Sequence, residues 1–221
     1  MNSTLIERIY RRILKESGAP STEGMACYVE STGDEAGLLN ATVYNTKGIE
    51  KELKNNPGLF KTGLSIVKYR PLMDHIIGCV SIKDTADPCL GAYEISTIAG
   101  PGKLVYGLAY ALSPNGMIIS DRYSMSPEAL GAWKNMADKG TRSRKPLDNV
   151  KNPRTEDPSD DCTWRKEEYL NYAYESEGWE KGMLSSLRAA HKNFVITLDV
   201  PQKDFENVIA IAGGLFFDYS Y

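Results

Sequence analysis

Leu5, Ile9 and Ile13 recur at the spacing of one helical face, predicting a helix over 3–17 with Ser3 or Thr4 as its cap and Gly18 just past its end. Apolar and polar positions then alternate closely enough to predict strands over 25–30 and 38–45. A short helix over 47–55 is stopped by Asn55-Asn56-Pro57-Gly58. Three β-rich runs follow: "LSIVKY" (64–69), "HIIGCVSIKD" (75–84) and "LGAYEISTIA" (90–99), the last two joined by "TADPC" as a hairpin turn. A helix-like apolar run over 103–112 starts at once after Gly100-Pro101-Gly102. The tight turn "SPNG" leads to a short apolar strand at 117–120, and Ser126-Pro127-Glu128 opens a helix to about Asp138, with Ser126 as cap and Pro127 at its favoured first position.

From about Lys139 the pattern changes. "KGTRSRKPLDNVKNPRTEDPSDDCTWRKEE" is charged and rich in Pro and Asp, which predicts a charged surface loop or arm over 139–165. Residues 166–175 and 179–198 read as helical, and Asp199 to Pro201 break that run before a last helix to about Phe217. The order of elements predicts an α+β (mixed α/β) fold. Its parts are a core over 1–138, the arm over 139–165, and a C-terminal helical extension over 166–221 packed on the core.

Composition adds bounds. The chain has 221 residues, 42% hydrophobic and 25% charged, which suits one good-sized domain with or without an appendage. The net charge of −3 gives no global basic field for a phosphate backbone, although Arg142, Arg144, Lys145 and Lys151 form a local basic stretch that keeps nucleic acid open as a partner. Cys27, Cys79, Cys89 and Cys162 lack paired spacing, so they read as reduced thiols in a cytoplasmic protein, and a zinc site with His75 and His191 is not expected. His75 reads as a strand residue and His191 as a helix-surface residue. Asp157, Asp160 and Asp161 read as a solvated acidic loop, with no metal expected. No apolar run reaches the roughly 18 residues of a membrane span, and no secretory stretch is seen, so a cytoplasmic location without membrane is expected.

The glycine turn is the candidate for chemistry. It does not fit a phosphate-binding loop of the GxxxxGK[ST] kind, because Gly102-Lys103 is followed by Leu104 and position 97 is Thr. It fits a dinucleotide GxGxxG only in part, because Val105 holds the third glycine's place. A coenzyme A diphosphate needs convergent backbone N–H groups at a helix's positive end, and glycine allows close approach. Pro101 removes one donor but stiffens the turn, and Lys103 adds charge. A plain strand-to-helix turn without ligand is the equal alternative.

Residues 75–137 resemble the GNAT superfamily of acyl-CoA-dependent acyltransferases. There a long strand leads to a Gly-rich turn, the pyrophosphate-binding helix, another strand, and a helix that often has an Asn cap, Ala three later and Tyr seven later. This chain has Ser126, Ala129 and Trp133 at those offsets. The resemblance is closer to GNAT-like proteins of tailed bacteriophages, with "GPG" or "GYG" before "LLY", then "DRxSVSPxAxxxW" and "PLDxVxNPxT". The matching residues are Gly100-Pro101-Gly102, Leu104-Val105-Tyr106, Asp121-Arg122 through Trp133, and Pro146-Leu147-Asp148 through Thr155. That extends the likeness over about residues 92–196.

The resemblance implies a GNAT-like twisted, mostly antiparallel sheet flanked by helices. It implies acetyl-CoA or another acyl-CoA as co-substrate, held by Ile95, Ser96, Thr97 and Ile98 on the strand and by Gly100, Gly102, Lys103, Leu104 and Tyr106 at the turn and helix. Glu94 and Asp121 are then the candidate bases, and Tyr123 and Tyr106 the candidate acids. Trp133 packs in the core or lines the acceptor pocket with Arg122. Two features depart from the superfamily pattern: no Gln or Arg precedes Gly100 by three residues, and Trp133 stands where a tyrosine often protonates the leaving thiolate. Indole N–H is a donor without acidity. Three functions follow as expectations: a phage N-acyltransferase acting on an amine of a small molecule, a protein or a modified nucleobase; a catalytically silent GNAT-like binding or host-interaction protein; and a nucleic-acid-associated protein.

Overall fold

A computed structural model describes residues 19–31, 37–59, 69–140, 142–149, 151, 153–198 and 200–219, with side chains to 216. The helix predicted over 3–17 lies outside the described residues, as does the strand predicted over 64–69 except for Tyr69, which precedes a short helix and is not in a strand. One seven-stranded sheet carries the fold: β1 (Met25–Ser31), β2 (Leu39–Asn45), β3 (Ile76–Lys83), β4 (Tyr93–Ala99), β5 (Met117–Ile119), β6 (Arg144–Pro146) and β7 (Tyr172–Glu175), in the order β1-β2-β3-β4-β5-β7-β6. Neighbours are antiparallel except for β4 and β5, which run parallel. The helices are α1 (Thr46–Asn55), the single turn α2 (Arg70–Met73), α3 (Gly102–Leu112), α4 (Pro127–Lys139), α5 (Trp179–Leu198) and α6 (Gln202–Tyr219).

Alternation along the strands sends successive side chains to opposite faces. Cys27, Val43 and Val80 face a core filled by Leu104, Leu108 and Tyr110 of α3, Trp133 of α4, and Met183 and Leu187 of α5. Their neighbours Ala26, Tyr44 and Cys79 face the other way, onto Ile49 of α1, Leu72 of α2, Val195 of α5, and Phe205 and Ile209 of α6. The result is a mixed α+β fold with a mostly antiparallel open sheet. Among the described residues no helix is long and apolar enough to cross a membrane.

The structure corrects four expectations. Residues 166–175 are not helical: a short 3-10 turn at Glu168–Leu170 leads into β7, whose Ala173 and Tyr174 are buried. The charged start of that stretch resembles a helix, but Tyr172-Ala173-Tyr174 pairs between β5 and β6, and ladder bonds to both sides decide its form. Within the arm, β6 is an exposed edge strand made of Arg, Lys and Pro, residue types that discourage pairing with another chain. Cys89 and Cys162 are joined in a disulfide across 73 positions, so only Cys27 and Cys79 are free thiols, both buried. The separation hides that pairing from spacing rules, and the cytoplasmic expectation loses the support of four reduced thiols. The bond anchors the arm to a small satellite core of Ala92, Ile119, Leu147 and Ala173. Lastly, His191 is buried rather than on a helix surface, because Tyr44 and Glu206 supply partners for both ring nitrogens. His75 precedes β3 by one residue and pairs with Glu52 at 3.5 Å.

Candidate functional site

The parallel strands β4 and β5 pair only at Tyr93–Ile118 and Glu94–Ile119. After Ile119 the chain leaves the sheet, while β4 continues to Ala99 against β3. The β3–β4 register jumps from Ile82–Ile95 to Ser81–Thr97, so Ser96 is the extra residue of a bulge. A bulge bends the strand that carries it and re-aims its side chains. Beyond Glu94, then, the β5-facing edge of β4 has no strand partner among the described residues. A cavity of about 360 Å³ fills the gap. Ile95, Ser96, Thr97 and Ile98 form its strand wall, and Tyr106 of α3 lines it from the helix. Asp121, Ser124 and Met125 come from the loop after β5, and Ser126, Ala129 and Trp133 from the start of α4.

The turn between β4 and α3 has its own geometry, and Gly100, Gly102, Lys103 and Leu104 are not among the residues that line the cavity. Gly100 adopts φ +119°, a region side chains rarely occupy. A Cβ there would lie 2.7 Å from both Gly78 Cα and Ile77 O. At Gly102 a Cβ would meet nothing within 4 Å. Pro101 is the N-cap of α3 and no side chain caps it. Leu104 N and Val105 N both donate to Pro101 O, at 2.9 and 3.1 Å. The amides of Gly102 and Lys103 have no acceptor among the described residues, and both residues are exposed. Leu104 belongs to the core: its amide is taken and its side chain is buried.

No protein-family model, no curated protein and no solved structure matches this chain.

The candidate acids and bases divide by position. Asp121 lines the cavity, and its Oδ1 accepts from Tyr123 N at 2.6 Å and Ser124 N at 2.8 Å, which fixes the carboxylate and makes the turn that leads to α4. Glu94 is buried outside the cavity lining: its Oε1 accepts from Arg122 N at 3.2 Å and lies 3.6 Å from Lys83 Nζ. Tyr123 is 80% exposed, does not line the cavity, and has Lys83 Nζ 5.7 Å from its ring. Tyr106 does line it, and stacks edge-on against Trp133 with ring centroids 5.7 Å apart. Trp133 is both core and cavity floor, since Tyr174 covers it from behind at 5.2 Å.

Arg122 is buried beside the cavity loop rather than lining it. Its Nη1 donates to Leu170 O at 3.0 Å, while Nε and Nη2 are buried without a partner among the described residues. Burial pulls this guanidinium down to about 10, against the opposing pull of Glu94.

Ser124 and Met125 are lining residues that the sequence reading missed. The one signal for them was their place between Asp121 and the capped helix. Ser126 holds α4 by accepting from Ala129 N at 3.2 Å. The basic stretch is largely engaged within the protein. Arg142 pairs with the fully buried Glu180 and lies 4.2 Å from the centre of the Tyr110 ring. Arg144 lies over Tyr172, and Lys145 pairs with Glu175 at 3.0 Å. Lys151 is exposed.

Proposed function

We propose that this protein is an acyl-CoA-dependent N-acyltransferase, with acetyl-CoA as the first co-substrate to test. One observation carries the reading: two parallel strands part after a two-pair contact and leave, among the described residues, an unpaired strand edge over a cavity, and the strand runs on through a glycine turn to a helix with no side-chain cap. A pantetheine arm has amides that can pair with such an edge as an added strand would. A diphosphate suits the amides of Gly102 and Lys103 at the positive end of α3, with the Lys103 ammonium nearby.

In this reading the acceptor amine enters beside Asp121, whose second oxygen takes the amine's proton. The nitrogen lone pair attacks the thioester carbonyl, and a backbone N–H of the β4 edge stabilises the oxyanion. Collapse breaks the carbon–sulfur bond, forms the amide and releases coenzyme A thiolate, which Tyr106 or water protonates. The acceptor class is an amine on a small molecule, a protein or a modified nucleobase. A bacteriophage source belongs to this reading and rests on the motif runs through Trp133 and Thr155 alone. So does a cytoplasmic location, where acyl-CoA thioesters are made.

A second reading is a GNAT-like binding module without turnover. Trp133 favours it, because its indole cannot protonate a thiolate and Tyr123 lies off the cavity. Two measurements separate the readings. Acetyl-CoA at a hundredfold its Kd is expected to stabilise the fold by about 2.7 kcal/mol in a thermal-unfolding assay. Thiol release with an amine panel then reports turnover. A melting temperature unmoved by acetyl-CoA and by longer acyl-CoA thioesters sinks the cofactor site; a rise without thiol release leaves the binding module.

A further inference from the structure

The acidic stretch Asp157–Asp161 is not the uniformly solvated loop that its composition suggests. Asp157 is exposed and caps the short turn at 158–160 through Ser159 N at 2.9 Å. Asp160 is only 6% exposed, and Asp148, from the far end of the arm, only 2%. Two stretches of the arm meet here. Asp148 N donates to Asp160 O at 3.1 Å, Cys162 N donates to Asp148 O at 2.7 Å, and Asp148 and Asp161 form a parallel bridge. That backbone crossing brings three carboxylates together, one oxygen of each within 4.8 Å of the others.

Local donors satisfy only part of this charge. Asp148 Oδ2 accepts from Arg154 N and from Thr155 N at 2.8 Å. Asp160 Oδ2 accepts from the Thr155 hydroxyl at 2.9 Å. Asp160 Oδ1 is buried and has no hydrogen-bond partner among the described residues. The neighbouring cation does not compensate: the Arg154 guanidinium turns away to Glu168 at 2.7 Å and over the Trp164 ring. Asp87 adds a fourth acid to the field. An uncompensated buried carboxylate is costly, so a buried oxygen without a donor, on a carboxylate clustered with two other acids, points to a missing positive charge.

We propose that Asp148, Asp160 and Asp161 bind a hard divalent cation, calcium by the chemistry of the site, which ties the two stretches of the arm to each other. The donors are all oxygen, which selects against zinc and copper. They come from an irregular loop that can adjust, which suits calcium's flexible coordination better than magnesium's strict octahedron. Asp160 Oδ1 is the unpartnered ligand, with Asp148 and Asp161 completing a three-carboxylate face. The Cys89–Cys162 bond begins one residue beyond Asp161, and Cys89 N donates to Asp161 O at 2.9 Å, so bridge and cation would hold the same crossing. The site is independent of acyl transfer.

The test uses the full oxidised chain stripped with chelator. Calorimetric titration with calcium chloride is expected to show one site, with Kd on the order of 10⁻⁵–10⁻³ M, and a rise in melting temperature that chelator reverses. Asp160→Asn keeps the acceptor for Thr155 and removes the charge; it is expected to weaken binding at least about tenfold. Asp161→Asn serves in the same role if that variant fails to fold, and Asp157→Asn is expected to bind as the parent does. No heat and no thermal shift with calcium, magnesium or manganese at about 10 mM overturns the site, three decades above the tighter limit of that range. Undiminished binding in both Asp160→Asn and Asp161→Asn overturns it equally.

Discussion

Gly100 packs backbone against backbone on Gly78: a Cβ added at position 100 would fall 2.7 Å from the Gly78 Cα. The contact joins the turn after β4 to the first half of β3 and explains Gly100 without any ligand. Gly100→Ala meets both this clash and the strained φ, and is expected to cost at least about 1–3 kcal/mol in urea unfolding. Gly102→Ala meets open space at a helix start and should change stability by under about 0.5 kcal/mol. Equal losses at both positions would show that the turn is not built as described.

Asp121 separates turn-making from chemistry. Asparagine at 121 retains an oxygen for Tyr123 N and Ser124 N while losing the charge and the basicity. Asp121→Asn is therefore expected to melt within a few degrees of the parent yet lower kcat by about 10²–10⁴-fold in a thiol-release assay. Parent-like turnover removes Asp121 as the base. Glu94 then returns as the candidate, acting through water, since its carboxylate lies outside the cavity lining.

Much of this site was legible in the sequence, because local signals placed it. The run from Glu94 to Trp133 has a strand, a glycine turn and a capped helix in succession, each set by nearby residues. What escaped was non-local. The Tyr172–Glu175 strand takes its form from partners far along the chain, and the Cys89–Cys162 bond spans 73 positions. The need for Gly100 comes from Gly78, which no local pattern links to it. The "PLDNVKNPRT" run stood out as a motif but gave no chemistry until the fold placed Asp148 against Asp160 and Asp161. His191 looked like a surface residue because its partners, Tyr44 and Glu206, sit on other elements.

The disulfide is a stability element with a measurable share. It closes a loop of 73 positions and holds the satellite core around Leu147. Reduction, or Cys162→Ala with Cys89→Ala, is expected to cost roughly 2–4 kcal/mol in denaturant unfolding, with β1 to β4 retained. Mass spectrometry of the alkylated protein from its native compartment checks the bond directly, since disulfides are uncommon in a reducing cytoplasm. Two extra alkylated thiols there, with unfolding unaffected by reductant, would remove the bond from the account of stability.

His191 gives the fold a pH dependence with a definite sign. The Glu206 carboxylate can only accept, and its Oε1 lies 3.4 Å from Nε2, so the ring proton belongs on Nε2 and Nδ1 is left to accept from the buried Tyr44 hydroxyl at 2.8 Å. Burial pulls the imidazole below its ordinary value, and Arg188 and Lys192 push the same way, while Glu206 opposes them. The folded ring therefore stays neutral at a pH where the unfolded ring, titrating near 6.5, has already taken a proton. More protons on the unfolded chain means that stability is full above about pH 6.5 and falls as pH drops through the folded value, with a slope approaching about 1.4 kcal/mol per pH unit. Denaturant unfolding from pH 8 to pH 5 should show that loss, and His191→Gln should flatten the part that lies just below pH 6.5. An unchanged profile in the variant would mean that other groups, and not this buried ring, set the acid limit of the fold.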